Sequence, residues 1–258
     1  MGNLFDLTGK VAVVTGASSG LGADAARAYA QYGAGVALLA RRKDKLEGVA
    51  AEIEKAGGKA LAVECDVESE ESVRNAIAEV VKHFGKIDIL LNNAGIAKAG
   101  GVDEIPVDDW KKTIDVNLNG VFMVSKYVIP YMRKQKYGKV VNIASINGII
   151  ADKTPDLWRH AYNASKAAVH GLTLGMAASY GMDNITVNTI GPGLFESEMT
   201  EDTLFKHAGF MQLYNGLNPM SRPGKRGELN GTILYFSSDA SSYVTGQRVI
   251  VDGGMSIV

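Results

Sequence analysis

The sequence predicts an α/β fold, a doubly wound seven-stranded parallel sheet with helices on both faces. Three observations carry that reading. Short apolar runs alternate with longer helical patterns along all 258 residues. Most of the runs are continuously apolar at their centres, as a parallel strand covered on both faces requires. No linker, low-complexity tract or repeat interrupts the alternation, so residues 1–258 are expected to form one domain.

The first strand is "KVAVVTG" (10–16), which runs into "TGASSGLG" with glycines at 16, 20 and 22. Glycines there allow a tight turn and close backbone approach, leaving amides at a helix N-terminus free to meet a pyrophosphate. The spacing is not G-x-G-x-x-G, and the Lys-Ser/Thr of a nucleotide-triphosphate loop is missing. Alone, such a turn could be purely structural; its place after the first strand of an alternating pattern favours a dinucleotide.

The second strand, "VALLA" (36–40), ends in Ala40-Arg41-Arg42. About 20 residues beyond the glycine turn, a NAD site would place an acid against the ribose 2′-hydroxyl. Two guanidiniums stand there instead, and the planar fork of arginine suits a phosphate. NADP(H) preference is therefore expected, the competing reading being two solvated surface arginines.

The helical stretch "KDKLEGVAAEIEKAG" leads to a third strand, "KALAVECD" (59–66). It is followed by "SEESVRNAIAEVVKHFG", with Ser69 as N-cap and Glu70 and Glu71 favourable to the helix dipole. The remaining strands are "IDILLNNAG" (87–95), "KVVNIAS" (139–145), "ITVNTIGPG" (185–193) and "QRVIVDGG" (247–254). The segment 194–225 has a weaker pattern, with Met199, Phe205, Phe210, Met211 and Tyr214 among polar residues. It is too long for a plain connection and suggests a substrate lid built of short helices.

Composition narrows the function classes. With 46% hydrophobic and 21% charged residues the chain is ordinary globular protein, and a net charge of −1 supplies no basic field for nucleic acid or an anionic membrane. The lone Cys65 excludes an intramolecular disulfide and a cysteine-rich metal site, so no metal is expected; in its apolar run it reads as a buried thiol. The start "MGNLFDLTGKVAVVTG" lacks a leader pattern, and Asp6 stands where a myristoylation motif needs Ser or Thr. No apolar run reaches membrane-spanning length, so a soluble cytoplasmic protein is expected.

In "AYNASKAAVHGLTLG", Tyr162 and Lys166 are i,i+4 neighbours on one helix face. A free phenol titrates near about pH 10, too high for efficient proton transfer at neutrality, and a nearby cation would lower that value. Ser145 ends a strand, where its hydroxyl can enter the crevice and join Tyr162 in stabilising charge on a substrate oxygen. Taken by itself, the pair could equally be a chance surface couple.

"TGASSGLG", "NNAG" (92–95), Asn117, Ser145, "YNASK" (162–166) and "PG" (192–193) occur in the order and approximate spacing of the short-chain dehydrogenase/reductase family. The resemblance covers residues 10 to 254 and implies a single-domain Rossmann fold. It implies that Tyr162 is the general acid for ketone reduction and the base for alcohol oxidation. Lys166 would also bind the nicotinamide ribose, Ser145 would orient the carbonyl, and Asn117 would hold a water in a relay to Lys166. For Asn117, a buried polar residue satisfying the bend in "DVNLNG" is a compatible reading. Cofactor contacts are implied for Gly16, Ser18, Ser19, Gly20, Leu21, Gly22, Arg41 and Arg42. They extend to Asp66 and Val67 at the adenine, and to Asn92, Asn93, Ala94 and Gly95 at a strand end. Pro192, Gly193, Phe195 and Ser197 resemble the stretch gripping the carboxamide, with Ser197 where the family usually has Thr.

The sequence departs from the family between Ser145 and Tyr162, where about four residues look inserted in a connecting loop. The extra material falls in "DKTPDLWRH". Trp158 could cap an apolar pocket, and Arg159 or His160 could receive a substrate carboxylate or hydroxyl; packing on a neighbouring subunit or facing solvent are the alternatives. The opening "LFDLTGK" resembles gluconate 5-dehydrogenase-like sugar-acid and polyol enzymes, and "PGLFESEMT" resembles the 3-oxoacyl-carrier-protein reductase branch. For an acyl-carrier partner, Arg222, Lys225 and Arg226 are the candidate basic patch. A non-catalytic NADP(H)-sensing protein is the rival of a different class, one expected to have lost the tyrosine or the lysine. The family resemblance also implies a homo-oligomer, a tetramer, with the apolar "GMSIV" end able to pack between subunits.

Overall fold

The computed structural model describes residues 3–200, 205–206 and 208–258. Seven strands, β1 (Val11–Thr15), β2 (Gly35–Ala40), β3 (Lys59–Glu64), β4 (Ile89–Asn92), β5 (Gly138–Ile143), β6 (Ile185–Pro192) and β7 (Arg248–Val251), form one sheet. Their order is β3-β2-β1-β4-β5-β6-β7, parallel throughout. The order reverses between β1 and β4, and the carboxyl ends of these two strands open a crevice at that point.

The sheet is covered on both faces because its strands are apolar on both. In β1, Ala12 and Val14 join the cluster formed with Ala26 and Tyr29 of α1 (Gly20–Gln31), Leu46 and Ile53 of α2 (Lys43–Lys55), and Phe236 of α9 (Asn230–Ser237). Val13, between them, faces the other way. It meets Val73 and Ile77 of α3 (Glu70–Phe84), Val128 and Met132 of α5 (Gly120–Gln135), and Met176 of α6 (His160–Tyr180). On the first face the Tyr29 and Ser237 hydroxyls meet at 2.7 Å, both fully buried, tying α1 to α9.

The expected caps are present: Ser69 accepts from the Ser72 N–H at 3.2 Å at the start of α3, with Glu70 and Glu71 in its first turn. Several strands end earlier than expected, among them β5, which stops at Ile143, two residues before Ser145. β4 stops at Asn92, and residues 93–95 leave the sheet. β7 is an edge strand, with Arg248 and Val249 exposed.

Two connections bear on the crevice. α4 (Val107–Ile114) continues through a wide π-helical turn, Asp115–Asn119, into α5. Beyond β6 the chain forms a one-turn helix, α7 (Glu198–Thr200), and then α8 (Ala208–Leu217). The expected lid, 194–225, therefore contains short helices, although residues 201–204 and 207 of it lie outside the described residues. α8 is held from its end: Asn218 Nδ2 donates to the Asp252 carbonyl at 2.8 Å and to the Tyr214 hydroxyl at 3.1 Å. Among the described residues no helix is long and apolar enough to cross a membrane.

Candidate active site

The crevice is a cleft of about 320 Å³, bounded on one side by the turn between β1 and α1. Gly16 and Gly20 take positive φ, +67° and +53°, which favours glycine at both positions. Gly22 has a packing role: a Cβ there would come within 2.4 Å of the Gly16 carbonyl oxygen. It lets α1 approach the turn and lies behind the cleft wall, whereas Ser18, Ser19, Gly20 and Leu21 line it.

Asn93 secures the turn from the neighbouring strand end, its Nδ2 donating to the Thr15 and Gly16 carbonyls at 3.1 and 3.3 Å. The Thr15 hydroxyl accepts from the Asn93 and Ala94 N–H groups, so Asn93, Ala94 and Gly95 are held along the cleft. Asn92 does not belong with them. Strand side chains alternate, and Asn92 is buried on the far side, donating to Asn142 Oδ1 at 2.9 Å and to the Ser125 hydroxyl at 3.2 Å.

At the β2 end the cleft is rimmed by Arg41 and Arg42. Arg42 Nη2 donates to the Ser18 and Ser19 hydroxyls, each at 2.9 Å, while its Nη1 pairs with Glu198 at 2.8 Å. Lys45 binds the same carboxylate. Lys45, Arg42 and a hydrogen bond from the Ser19 hydroxyl hold the Glu198 carboxyl down at about 2. Asp66 and Val67 follow along the wall beside Cys65, whose thiol burial pushes up to about 11. Asp66 is fixed by accepting the Glu68 N–H at 3.1 Å.

At the other end Ser145, Tyr162 and Lys166 converge with Pro192, Gly193, Phe195 and Ser197. The Ser145 oxygen accepts the Asn147 N–H at 3.1 Å, which leaves its hydroxyl hydrogen to donate. Asn163 holds that turn in place, donating to the Asn147 and Ile150 carbonyls at 2.8 and 3.0 Å. Lys166 is buried and donates to the Ile143 carbonyl at 2.9 Å; burial lowers its pKa to about 8. Asn117 sits in the π-helical turn, where such wide turns often mark functional sites. Its amide clasps both backbone groups of Ile96, at 2.8 and 2.9 Å, and donates to Ser165 at 3.0 Å. A Cβ on Gly95 would stand 3.3 Å from both Asn117 Oδ1 and Lys166 Nζ, so this glycine is what lets the two side chains come together.

The electrostatics differ from the sequence expectation at Tyr162. Burial raises its pKa, and the influences that oppose burial are the Ser145 hydroxyl and the positive charge of Arg159. Lys166 lies over the ring, 5.6 Å from its centroid, with its ammonium bonded to Ile143. In this arrangement desolvation outweighs both opposing influences.

The insertion also divides differently from expectation. None of Trp158, Arg159 and His160 lines the cleft itself. Trp158 packs on Gly101, His160 Nδ1 accepts the Val102 N–H at 2.9 Å, and the two rings stack at 5.6 Å. Gly100 exchanges backbone hydrogen bonds with this segment, its N–H donating to Trp158 and its carbonyl accepting from His160. Both aromatic residues thus anchor the 100–102 loop. Arg159, half-buried, is the member whose charge reaches the reacting phenol.

Sequence reasoning missed Thr15, Lys45, Asn163, Ser165 and Glu198. Asn163 and Ser165 stand inside the quoted "YNASK", but an i,i+4 argument selects one helix face and passes over the residues that orient it. Nothing local to "ESE" marks Glu198 as a partner of Arg42. Among the described residues no group of three or more His, Cys, Asp or Glu could hold a metal.

The donor set fits a nicotinamide dinucleotide. A glycine cradle opens at the N-terminus of the 12-residue α1, arginines stand at one end, and hydroxyl and ammonium groups stand at the other. The family model for short chain dehydrogenases matches residues 10–207. The chain is 38% identical to a gluconate 5-dehydrogenase of Gluconobacter oxydans over 255 residues, covering 99% of this chain and 98% of that protein. It is also 38% identical to a 3-oxoacyl-[acyl-carrier-protein] reductase of Thermotoga maritima, covering 97% and 99%. The crystal structure of a gluconate 5-dehydrogenase from Burkholderia cenocepacia, in complex with NADP and tartrate, superposes with a TM-score of 0.93 at 36% identity, over 99% of this chain and 98% of that one.

Proposed function

The chain belongs to the short-chain dehydrogenase/reductase family of oxidoreductases, and from that membership we propose that it interconverts a ketone and a secondary alcohol with NADP(H), acting on a sugar acid or related polyol. The observation that carries the reading is the convergence of Ser145, Tyr162 and Lys166 at one end of a cleft whose other end presents Arg41 and Arg42. Gly16, Ser18, Ser19, Gly20 and Leu21 would hold the pyrophosphate. Asp66 and Val67 would hold the adenine, and the Pro192–Ser197 stretch the carboxamide.

When bound, the nicotinamide supplies or accepts the hydride. The protein's residues handle the proton. The Ser145 hydroxyl donates to the substrate carbonyl oxygen, and Tyr162 gives its proton to that oxygen as negative charge develops. In alcohol oxidation the phenolate takes the proton back. Lys166 would bind the nicotinamide ribose and replenish Tyr162's proton from solvent. Asn117 holds Gly95 and Ile96 beside Lys166, a positioning role its committed amide supports, and its expected place in a water relay is compatible with that. The retention of all four residues argues against a non-catalytic sensor.

The half-buried Arg159, close enough to act on the phenol, favours a substrate carrying a carboxylate. Two of the three basic residues considered for an acyl-carrier partner are engaged within the chain: Arg222 forms a two-pronged pair with Glu228, and Arg226 another with Asp24. That weighs against the 3-oxoacyl reductase reading. A cytoplasmic homotetramer is the expected form, and the exposed Ile257 and Val258 are available to pack between subunits. The test is NADPH consumption with a keto-sugar acid, an uncharged keto-polyol and a 3-oxoacyl thioester. The keto-sugar acid should react fastest; faster turnover of the thioester would favour the reductase reading, and inertness toward all three would refute the proposal.

A further inference from the structure

The cleft already contains an anion of its own. Glu198, on the one-turn helix α7 after β6, reaches across the mouth of the cleft to the start of α2. One carboxylate oxygen meets Arg42 Nη1 at 2.8 Å and the other meets Lys45. Arg42 Nη2 donates to the Ser18 and Ser19 hydroxyls. These groups make up a phosphate-binding set: a guanidinium fork, an ammonium and two hydroxyls at a glycine turn. They stand at the end of β2, where a ribose 2′-substituent would lie.

We propose that Glu198 is a coenzyme-specificity residue: its carboxylate occupies the 2′-phosphate seat and must leave Arg42 and Lys45 when NADP(H) binds. The inference rests on the NADP(H) reading of the Arg41–Arg42 end. Two anions cannot share the seat without like-charge repulsion, so a 2′-phosphate displaces the carboxylate. A coenzyme with a plain 2′-hydroxyl leaves the three-residue link in place. Glu198 thereby weakens NADP(H) selectively, narrowing a preference that the two arginines alone would make steep. Lys45 becomes a second cation of the seat, one that lies beyond the arginine pair in sequence.

The test uses the full-length protein and its Glu198→Gln and Arg42→Ala variants, with dissociation constants for NADPH, NADH, adenosine 2′,5′-bisphosphate and 5′-AMP measured by calorimetry. Gln keeps the shape of the side chain and removes its charge. Glu198→Gln should tighten NADPH and the bisphosphate by about ten-fold, with NADH and 5′-AMP moving by about two-fold or less. Arg42→Ala should weaken the 2′-phosphorylated pair alone. If Arg42→Ala behaves so while Glu198→Gln leaves NADPH unchanged or weaker, the gate is overturned and the NADP(H) reading stands. If Arg42→Ala fails to discriminate between the two pairs, the seat itself is refuted and the gate falls with it. An equal change in all four ligands on Glu198→Gln would mark a structural role and also overturn the proposal.

Discussion

Lys166→Met should stabilise the ligand-free protein while removing its activity. Lys166 is 4% exposed, and burial lowers its pKa from 10.5 to about 8. At 1.36 kcal/mol per pH unit, holding that charge inside the fold costs about 3 kcal/mol. Below the folded value, at about pH 7, native and unfolded chains both carry the proton and the whole cost is present. Between about pH 8 and 10.5 the unfolded chain binds more protons than the native one, so stability from this group rises with pH. Methionine keeps much of the length without the charge, but it leaves the Ile143 carbonyl without its donor, a loss of about 1 kcal/mol. The net gain at neutral pH is about 2 kcal/mol, or about 4–8 °C in Tm for a chain of this size. By about pH 10.5 the advantage should vanish and reverse by about 1 kcal/mol. Scanning calorimetry of both proteins at one fixed concentration, without coenzyme, measures the difference across that range. A variant less stable than the parent near neutrality, or a difference that does not change with pH, would refute the reasoning.

Tyr29→Phe should lower stability by about 1–3 kcal/mol in urea unfolding, because it strands the buried Ser237 hydroxyl between α1 and α9. Gly22→Ala places a Cβ 2.4 Å from the Gly16 carbonyl, where only backbone movement relieves the clash. A loss of about 1–3 kcal/mol is expected, with weaker coenzyme binding in a fluorescence titration. Arg159→Ala should raise KM for an acidic substrate and leave it unchanged for a neutral one. Since the arginine's charge opposes the burial-raised pKa of Tyr162, its removal should also move the rise of alcohol oxidation to higher pH in a pH–rate profile.

The fold was legible because its determinants repeat. Each strand is an apolar run flanked by turn and helix signals, and a sheet built of seven such units tolerates an error at either end of one of them. The reacting end was legible because Tyr162, Lys166 and Ser145 are marked by short motifs. What escaped was direction and partnership. Whether Asn92 or Asn93 meets the cleft depends on where β4 ends, and that is decided by the Thr15 hydroxyl on another strand. The sequence places Trp158, Arg159 and His160 near the reacting phenol, but backbone pairing of the insertion with Gly100 turns two of them toward the 100–102 loop.

The same physics limits what Arg41 and Arg42 say about coenzyme choice. A pair of guanidiniums at the end of β2 attracts a phosphate to the extent that their charge is uncompensated. Here the anion that compensates it comes from a segment far along the chain: Glu198 and Lys45 are 153 positions apart in sequence. Specificity at this end is a difference between two states of the seat, one filled by carboxylate and one by phosphate. Replacing Arg42 alters both sides of that difference, because it pairs with either anion, whereas replacing Glu198 alters only the carboxylate-filled side. A variant meant to favour NADPH should therefore begin with Glu198, where a single neutral substitution frees two cations without adding a contact.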